Sequence, residues 1–188
     1  KTRNSSFEGN VYVKGLPDIE NTIFNADIIK LSTSGSELNA LIPQTKVDAI
    51  AWKEMKHIEI EGNYHGKVND FTAKGNLKTN LGNATFDMAM NLKPKNAEYK
   101  GKLKTENFNL GKLIKQSTVG HISMDGEIAG SGFDLNNINT KLNATVTKIE
   151  IDNKLYQNLT INGIFSKKKF DGIFVSQVEN ISSYLDNS

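Results

Sequence analysis

The sequence predicts an all-β protein built as one long antiparallel meander. Apolar and polar residues alternate through most of the 188 residues, and short links rich in Asn, Asp, Gly and Lys separate the alternating stretches. Because strand side chains alternate between two faces, an aromatic residue and a glycine two positions later share one face. This pairing recurs at Phe7-Glu8-Gly9, Tyr64-His65-Gly66, Tyr99-Lys100-Gly101 and Phe170-Asp171-Gly172.

Ten strands are predicted from the alternation and from the turn residues between them. Pairing each strand with its neighbours in the chain is the economical topology, because every link is short. The predicted strands are 7–14, 24–34, 56–68, 71–79, 82–92, 97–107, 120–130, 137–151, 155–165 and 169–176.

Two segments break the alternation and predict short helical turns. Residues 36–43 begin at an N-cap candidate, Ser36, place leucine and isoleucine on one side, and end at a proline. Residues 110–116 repeat this pattern. Each turn is expected to cover the apolar face at a crossover, and residues 44–54 are expected to form a loop anchored by Trp52.

Glycines on the apolar face predict curvature. A glycine inside a strand leaves a gap where a side chain would pack, so a sheet coils most easily toward the face that its glycines occupy. Gly62, Gly66 and Gly101 occupy such positions, and the series from Gly126 to Gly132 predicts the sharpest bend. The apolar face is therefore expected to be concave.

Composition excludes several functional classes. The formal net charge is +2, from 23 basic and 21 acidic residues spread evenly, so nothing favours nucleic acid as a partner. The chain has no cysteine, which excludes disulfides, thiolate metal sites and cysteine nucleophiles. No stretch approaches the roughly 18 apolar residues of a membrane-spanning helix.

No enzyme chemistry is predicted. His57, His65 and His121 are isolated from one another and from ligand-like neighbours, so neither a metal nor another cofactor is expected. A catalytic pair of carboxyl groups needs two different pKa values, which burial produces. Glu59 and Glu61 share the polar face of one strand, where they are expected to be solvated, so they are not expected to form such a pair. The Gly130-Ser131-Gly132 stretch precedes no helical pattern, so it is interpreted as a bend.

The remaining candidate is the apolar face itself. On the residues alone, two interpretations stay open: this face is the core of a closed sandwich or barrel, or it lines an open groove. The groove candidates share the apolar side of the predicted strands: Ile58, Ile60, Tyr64, Val68, Phe71, Leu77, Phe86, Met88, Met90, Tyr99, Leu103, Ile122, Met124, Ile128, Leu142, Val146, Leu159, Ile161, Phe170 and Phe174.

A succession of motifs over about residues 7 to 175 resembles the repeat region of the TamB (translocation and assembly module) family, within the AsmA-like superfamily, in its Bacteroidetes-type form. The similarity rests on the order and spacing of these motifs: Leu16–Thr22, Leu38–Pro43, Tyr64-His65-Gly66 with Asn69-Asp70-Phe71, Leu77–Ala84, Asn107–Ile114, Gly130–Leu135, and Tyr156–Leu159 with Asn162-Gly163.

The resemblance implies a fold and a setting. The fold would be an open, taco-shaped β-trough with an apolar concave face, which favours the open groove over the closed core. Residues 1–188 would form a single trough segment, an internal fragment of a longer periplasmic protein anchored in the inner membrane of a Gram-negative bacterium. Residues 177–188 depart from the pattern and are expected to form an irregular tail.

Two functions follow from the resemblance. The first is a conduit segment that holds phospholipid acyl chains, supporting lipid transport between membranes and outer-membrane biogenesis; an outer-membrane barrel of the Omp85 type is the implied partner, and membrane contact would come through other parts of the parent protein. The alternative is an assembly scaffold that templates strands of outer-membrane or secreted β-proteins along a free sheet edge.

Overall fold

The computed structural model describes residues 5–40, 50–93, 95–134 and 136–176, and these form an all-β protein. The ten predicted strands are confirmed, with small differences at their ends. They are β1 (Ser6–Lys14), β2 (Ile23–Thr33), β3 (Ile58–Lys67), β4 (Asp70–Thr79), β5 (Gly82–Asn91), β6 (Glu98–Asn109), β7 (Val119–Ser131), β8 (Asn139–Ile151), β9 (Lys154–Ser166) and β10 (Lys169–Ser176).

All ten strands belong to one sheet, in the order in which they occur along the chain. Every neighbouring pair is antiparallel, as the short links require. Within the described residues β1 pairs only with β2, and β10 pairs only with β9, so the sheet does not close. The predicted long meander is confirmed, and the sheet is open and unclosed, which is consistent with the predicted open trough.

Two short helices interrupt the meander where the sequence predicts them: α1 (Gly35–Asn39) and α2 (Leu110–Ile114). The N-cap of α1 is Ser34, whose hydroxyl accepts from the Glu37 N–H, rather than the predicted Ser36. Asn109 caps α2 in the same way, accepting from the Lys112 N–H at 3.0 Å. The predicted proline stop at Pro43, residues 44–49 and the tail 177–188 lie outside the described residues.

The glycines allow close approach of backbones across the strands. Gly62 lies directly opposite Gly75, and both are on the apolar face. At Gly66, where φ is +135°, an added Cβ would lie 2.5 Å from the carbonyl oxygen of Asp70. The part of β7 that contains Gly126 and Gly130 pairs with β8 in continuous register from Met124 to Ser131. The register shifts between β7 and β8 lie at the other end of the strand, around Val119–Met124.

The packed core lies at one end of the strands. Ile58 and Val146 are 1% and 0% exposed, and they belong to one cluster with residues of β6, β7 and β9. Leu38 of α1 and Leu110 and Leu113 of α2 pack against this cluster. The helical turns therefore cover the apolar face at this end, as predicted.

Candidate functional site

Strand register joins the apolar side chains into continuous rows that cross the sheet. Each row runs from β1 to β10, perpendicular to the strands, and contains one residue from every strand. The middle row consists of Val11, Ala26, Tyr64, Ala73, Met88, Gly101, Ile128, Leu142, Gly163 and Gly172.

The middle row has no charged side chain, and the next row toward the core has neither a charged nor a polar one. It consists of Gly9, Ile28, Gly62, Gly75, Phe86, Leu103, Gly126, Ala144, Ile161 and Phe174. The two rows together form an uncharged strip across all ten strands, although at β8 and β9 its second row, Ala144 and Ile161, is buried in the core cluster, so only the middle row is accessible there. We call this strip the apolar lane.

Aromatic side chains concentrate in the row on the other side of the lane, which we call the aromatic rim. The rings of Tyr64 and Phe71 stack with centroids 4.8 Å apart, and those of Tyr99 and Phe133 stack at 5.2 Å. The rim row consists of Val13, Phe24, Gly66, Phe71, Met90, Tyr99, Gly130, Thr140, Phe165 and Phe170.

The tyrosine hydroxyls of this region are satisfied by backbone carbonyls near the turns. Tyr64 donates to the carbonyl oxygen of Lys67 at 2.7 Å, and Tyr99 donates to that of Gly132 at 3.1 Å. Burial raises the pKa of Tyr64 to about 12, and burial also raises the pKa of Tyr99. Both tyrosines are therefore neutral near neutral pH, and the apolar lane gains no charge from them.

The end of the strands opposite the aromatic rim is covered by the protein's own segments, and we call it the plugged end. The segment Trp52–Glu54 forms a 3₁₀ turn, and Trp52 packs against the core cluster together with Ile50. A hydrogen bond from the Ala51 N–H to the carbonyl oxygen of Leu113, 2.8 Å long, ties this turn to α2. Trp52 is thus an anchor, as the sequence predicts, and the trough is covered here by the protein itself.

The outer face is polar and carries charges of alternating sign. Lys74 forms an ion pair with Asp87 at 3.3 Å, and Lys102 pairs with Glu127 at 3.7 Å. These residues belong to one outer row: Asp27, Asn63, Lys74, Asp87, Lys102, Glu127, Asn143 and Asn162. Exposed pairs of this kind stabilise only slightly, but opposite charges across neighbouring strands favour the observed register.

A cleft of about 950 Å³ lies beside the plugged end, between the 3₁₀ turn, α2 and the start of β7. His121 Nδ1 lies 3.0 Å from Glu150 Oε2, and the His121 backbone N–H donates to the same oxygen. These hydrogen bonds lower the pKa of Glu150. Asn109 Nδ2 lies 3.3 Å from His121 Nε2, so the imidazole links the sheet to the cap of α2.

The groove candidates fall into distinct environments. All except Val68 lie on the apolar side of the strands; β3 ends at Lys67, so Val68 lies in the β3–β4 turn, and its prediction as a strand residue is wrong. Five others are buried by the protein's own packing, which leaves them no surface for a ligand: Ile58, Ile122, Met124, Val146 and Ile161.

The accessible candidates lie in the apolar lane, on the aromatic rim and along the margin of the core. Tyr99 is also buried, at 9% exposed, and Phe174 is the most exposed candidate at 56%, because among the described residues β10 pairs only with β9. The remaining members are partly buried side chains: Ile60, Tyr64, Phe71, Leu77, Phe86, Met88, Met90, Leu103, Ile128, Leu142, Leu159 and Phe170.

Sequence reasoning did not identify the rim as a feature. Phe24, Phe133 and Phe165 were not among the candidates, yet Phe24 and Phe165 occupy the rim row and Phe133 stacks on Tyr99. The available signal was position: Phe24 and Phe165 lie at the ends of predicted strands and Phe133 lies in the link after the seventh, all at the same end of the meander. Only the register between strands shows that they form one row.

Among the described residues, no group of three or more His, Asp or Glu side chains is arranged to hold a metal ion. The helices of the described part are all too short to cross a membrane.

Comparison with protein-family profiles, curated proteins and solved structures finds no match to this chain.

Proposed function

We propose that this chain is a segment of a hydrophobic conduit for phospholipid acyl chains. The observation that carries the proposal is the apolar lane: two adjacent rows cross all ten strands without a charged side chain, and their single hydroxyl, that of Tyr64, is hydrogen-bonded to the backbone. A hydrocarbon chain gains about 0.8 kcal/mol for each methylene that leaves water, so a lane of this kind favours acyl tails. At about 4.8 Å between strands, ten strands span roughly 45 Å.

The resemblance to the TamB family supplies the setting of the proposal. In that setting the chain is a periplasmic part of a protein anchored in the inner membrane of a Gram-negative bacterium, and it serves lipid transport and outer-membrane biogenesis. An outer-membrane barrel of the Omp85 type is the partner that the resemblance implies. No catalytic step and no cofactor enter the proposal, because an acyl chain moves along such a lane without bond making or breaking.

Native mass spectrometry of the purified chain tests the proposal. We expect phospholipid to copurify with it, and we expect Met88→Asp or Leu142→Asp to remove the lipid, because each substitution places a carboxylate in the middle row. Asn143→Asp is the matched control: it adds the same charge one residue from Leu142, on the exposed outer face. A folded Leu142→Asp variant that retains its lipid would contradict the conduit.

A second candidate function is strand templating by a free sheet edge. The observation that favours it is the pairing of β10 with β9 alone among the described residues, which leaves one side of the β10 backbone without a strand partner. Proline at β10 positions whose N–H points away from β9 is expected to abolish binding of a client β-segment. Charges in the apolar lane are expected to leave that binding intact, which separates this function from the conduit.

A further inference from the structure

The tip of the β9–β10 hairpin has an unusual composition for its backbone conformation. Lys167 and Lys168 form a two-residue turn in which both have positive φ, 47° and 66°. The β8–β9 turn has nearly the same geometry, with φ of 49° and 60°, but its residues are Asp152 and Asn153. Asn, Asp and Gly tolerate this conformation, whereas lysine gains nothing from it. The backbone alone does not account for two lysines here.

The charge at this tip is not neutralised within the described part of the protein. Lys167, Lys168 and the following Lys169 are all exposed, and the ion pairs among the described residues involve other lysines. The Lys167 backbone N–H donates to the carbonyl oxygen of Ile138 at 3.2 Å, which fixes the turn against the start of β8. The nearest acidic residue on the hairpin is Asp171, which lies opposite Ile164. Three cationic side chains therefore project from a positioned turn.

The outer face of the same hairpin carries three exposed aliphatic side chains among polar ones such as Asn162 and Asp171. Ile164, Ile173 and Val175 are 46%, 66% and 49% exposed. The outer positions of β4, by comparison, carry polar or charged side chains: Asp70, Thr72, Lys74, Asn76 and Lys78. Exposed isoleucines beside a cationic tip form an amphipathic surface. Phe165 and Phe170 of the aromatic rim lie directly behind the tip on the inner face.

We propose that the β9–β10 hairpin docks on the surface of an anionic phospholipid bilayer. The lysines at the tip approach the lipid phosphates, which attract each cation near the surface. The exposed isoleucines of the outer face contact the boundary between headgroups and acyl chains. Docking places the open rim of the trough next to the bilayer. This proposal stands on the hairpin alone and does not need the conduit to be correct.

Vesicle flotation with the whole chain tests the docking. The probes are vesicles of phosphatidylcholine alone and of phosphatidylcholine mixed with phosphatidylglycerol. We expect binding to the mixed vesicles that weakens with salt. Lys167→Asn with Lys168→Gly is expected to weaken it about tenfold or more, since two cations are removed. This double change introduces the Asn-Gly pair that the turn conformation favours, so misfolding does not account for a loss.

The control removes the same net charge elsewhere: Lys78→Gln with Lys104→Gln, on exposed outer positions of β4 and β6. We expect this pair to bind within about twofold of the unmodified chain. Ile173→Thr is expected to weaken binding several-fold while retaining a β-branched side chain.

Three outcomes would overturn the docking proposal. Equal binding to both kinds of vesicle would show that anionic lipid is not recognised. Equal losses from the tip variant and the control variant would show that only net charge matters. A hairpin variant that changes self-association or binding to a protein while leaving vesicle binding intact would make the hairpin a protein interface. Native mass spectrometry measures the lipid carried by the purified chain independently of vesicle flotation. Failure of the conduit proposal and failure of the docking proposal therefore give different results.

Discussion

The two ends of the strands use the same alternating pattern to different effect. At the plugged end, helical turns cover the apolar side chains, and Ile58 and Val146 become fully buried. Four residues before Val146 on the same strand and the same face, Leu142 is only partly buried, because no helix covers the middle row. The difference teaches that alternation defines a face, whereas the segments between strands decide whether that face becomes core or remains accessible.

The largest expected difference comes from placing a carboxylate at Val146, in the core cluster, and at Leu142, in the middle row, on the same strand. We expect Val146→Asp to cost about 4 kcal/mol or more of unfolding free energy, because a fully buried charge has no partner. We expect Leu142→Asp to cost only about 1 to 2 kcal/mol. Urea denaturation followed by circular dichroism measures both. Equal costs would mean that the middle row is packed as tightly as the plugged end.

Removing the anchor of the plug is the next largest change. Trp52→Ala is expected to lower the unfolding free energy by about 2 to 3 kcal/mol, because the ring packs against the core cluster and its removal leaves a cavity. Trp52→Phe serves as the matched control, and we expect it to recover most of the loss. Thermal unfolding measures the three proteins. A loss below about 0.5 kcal/mol for the alanine variant would show that the plug does not stabilise this end.

A smaller effect is expected at the cap of α2. Asn109→Ala removes the oxygen that accepts from the Lys112 N–H and is expected to cost about 1 kcal/mol. Asn109→Ser keeps a capping oxygen and is expected to restore most of that stability. Hydrogen exchange of the α2 amides localises the effect. If both substitutions destabilise equally, the contact between Asn109 and His121 matters more than the cap.

At the open end of the strands, raising the pH is expected to have the smallest effect on stability of the changes considered. Burial raises the pKa of Tyr64 from 10.0 to about 12, so the folded protein holds this proton more tightly than the unfolded chain does. The stabilisation is fully present below pH 10 and is lost as pH rises through about 12. Ultraviolet titration of tyrosinate, compared with Tyr64→Phe, measures this shift. An ordinary pKa for Tyr64 would show that water reaches this part of the middle row freely.

The local elements could be predicted from the sequence because their causes are local. Alternation with period two and short polar links identify all ten strands, and the interruptions near Leu38 and Leu113 identify both helices. Errors occur at boundaries, where one residue changes the outcome. Val68 continues the alternation of β3, but the turn begins before it, and Ser34 competes successfully with Ser36 as the N-cap.

By itself, the sequence determined that this chain is a meander with one apolar face and one polar face, because side-chain direction in a strand depends only on position along the strand. Tertiary structure decided which part of that face is accessible. Burial of Ile58, exposure of Ile173 and the line of rings along the rim depend on inter-strand register and on where the helical turns pack. Those contacts join residues distant in the chain, so no local pattern encodes them.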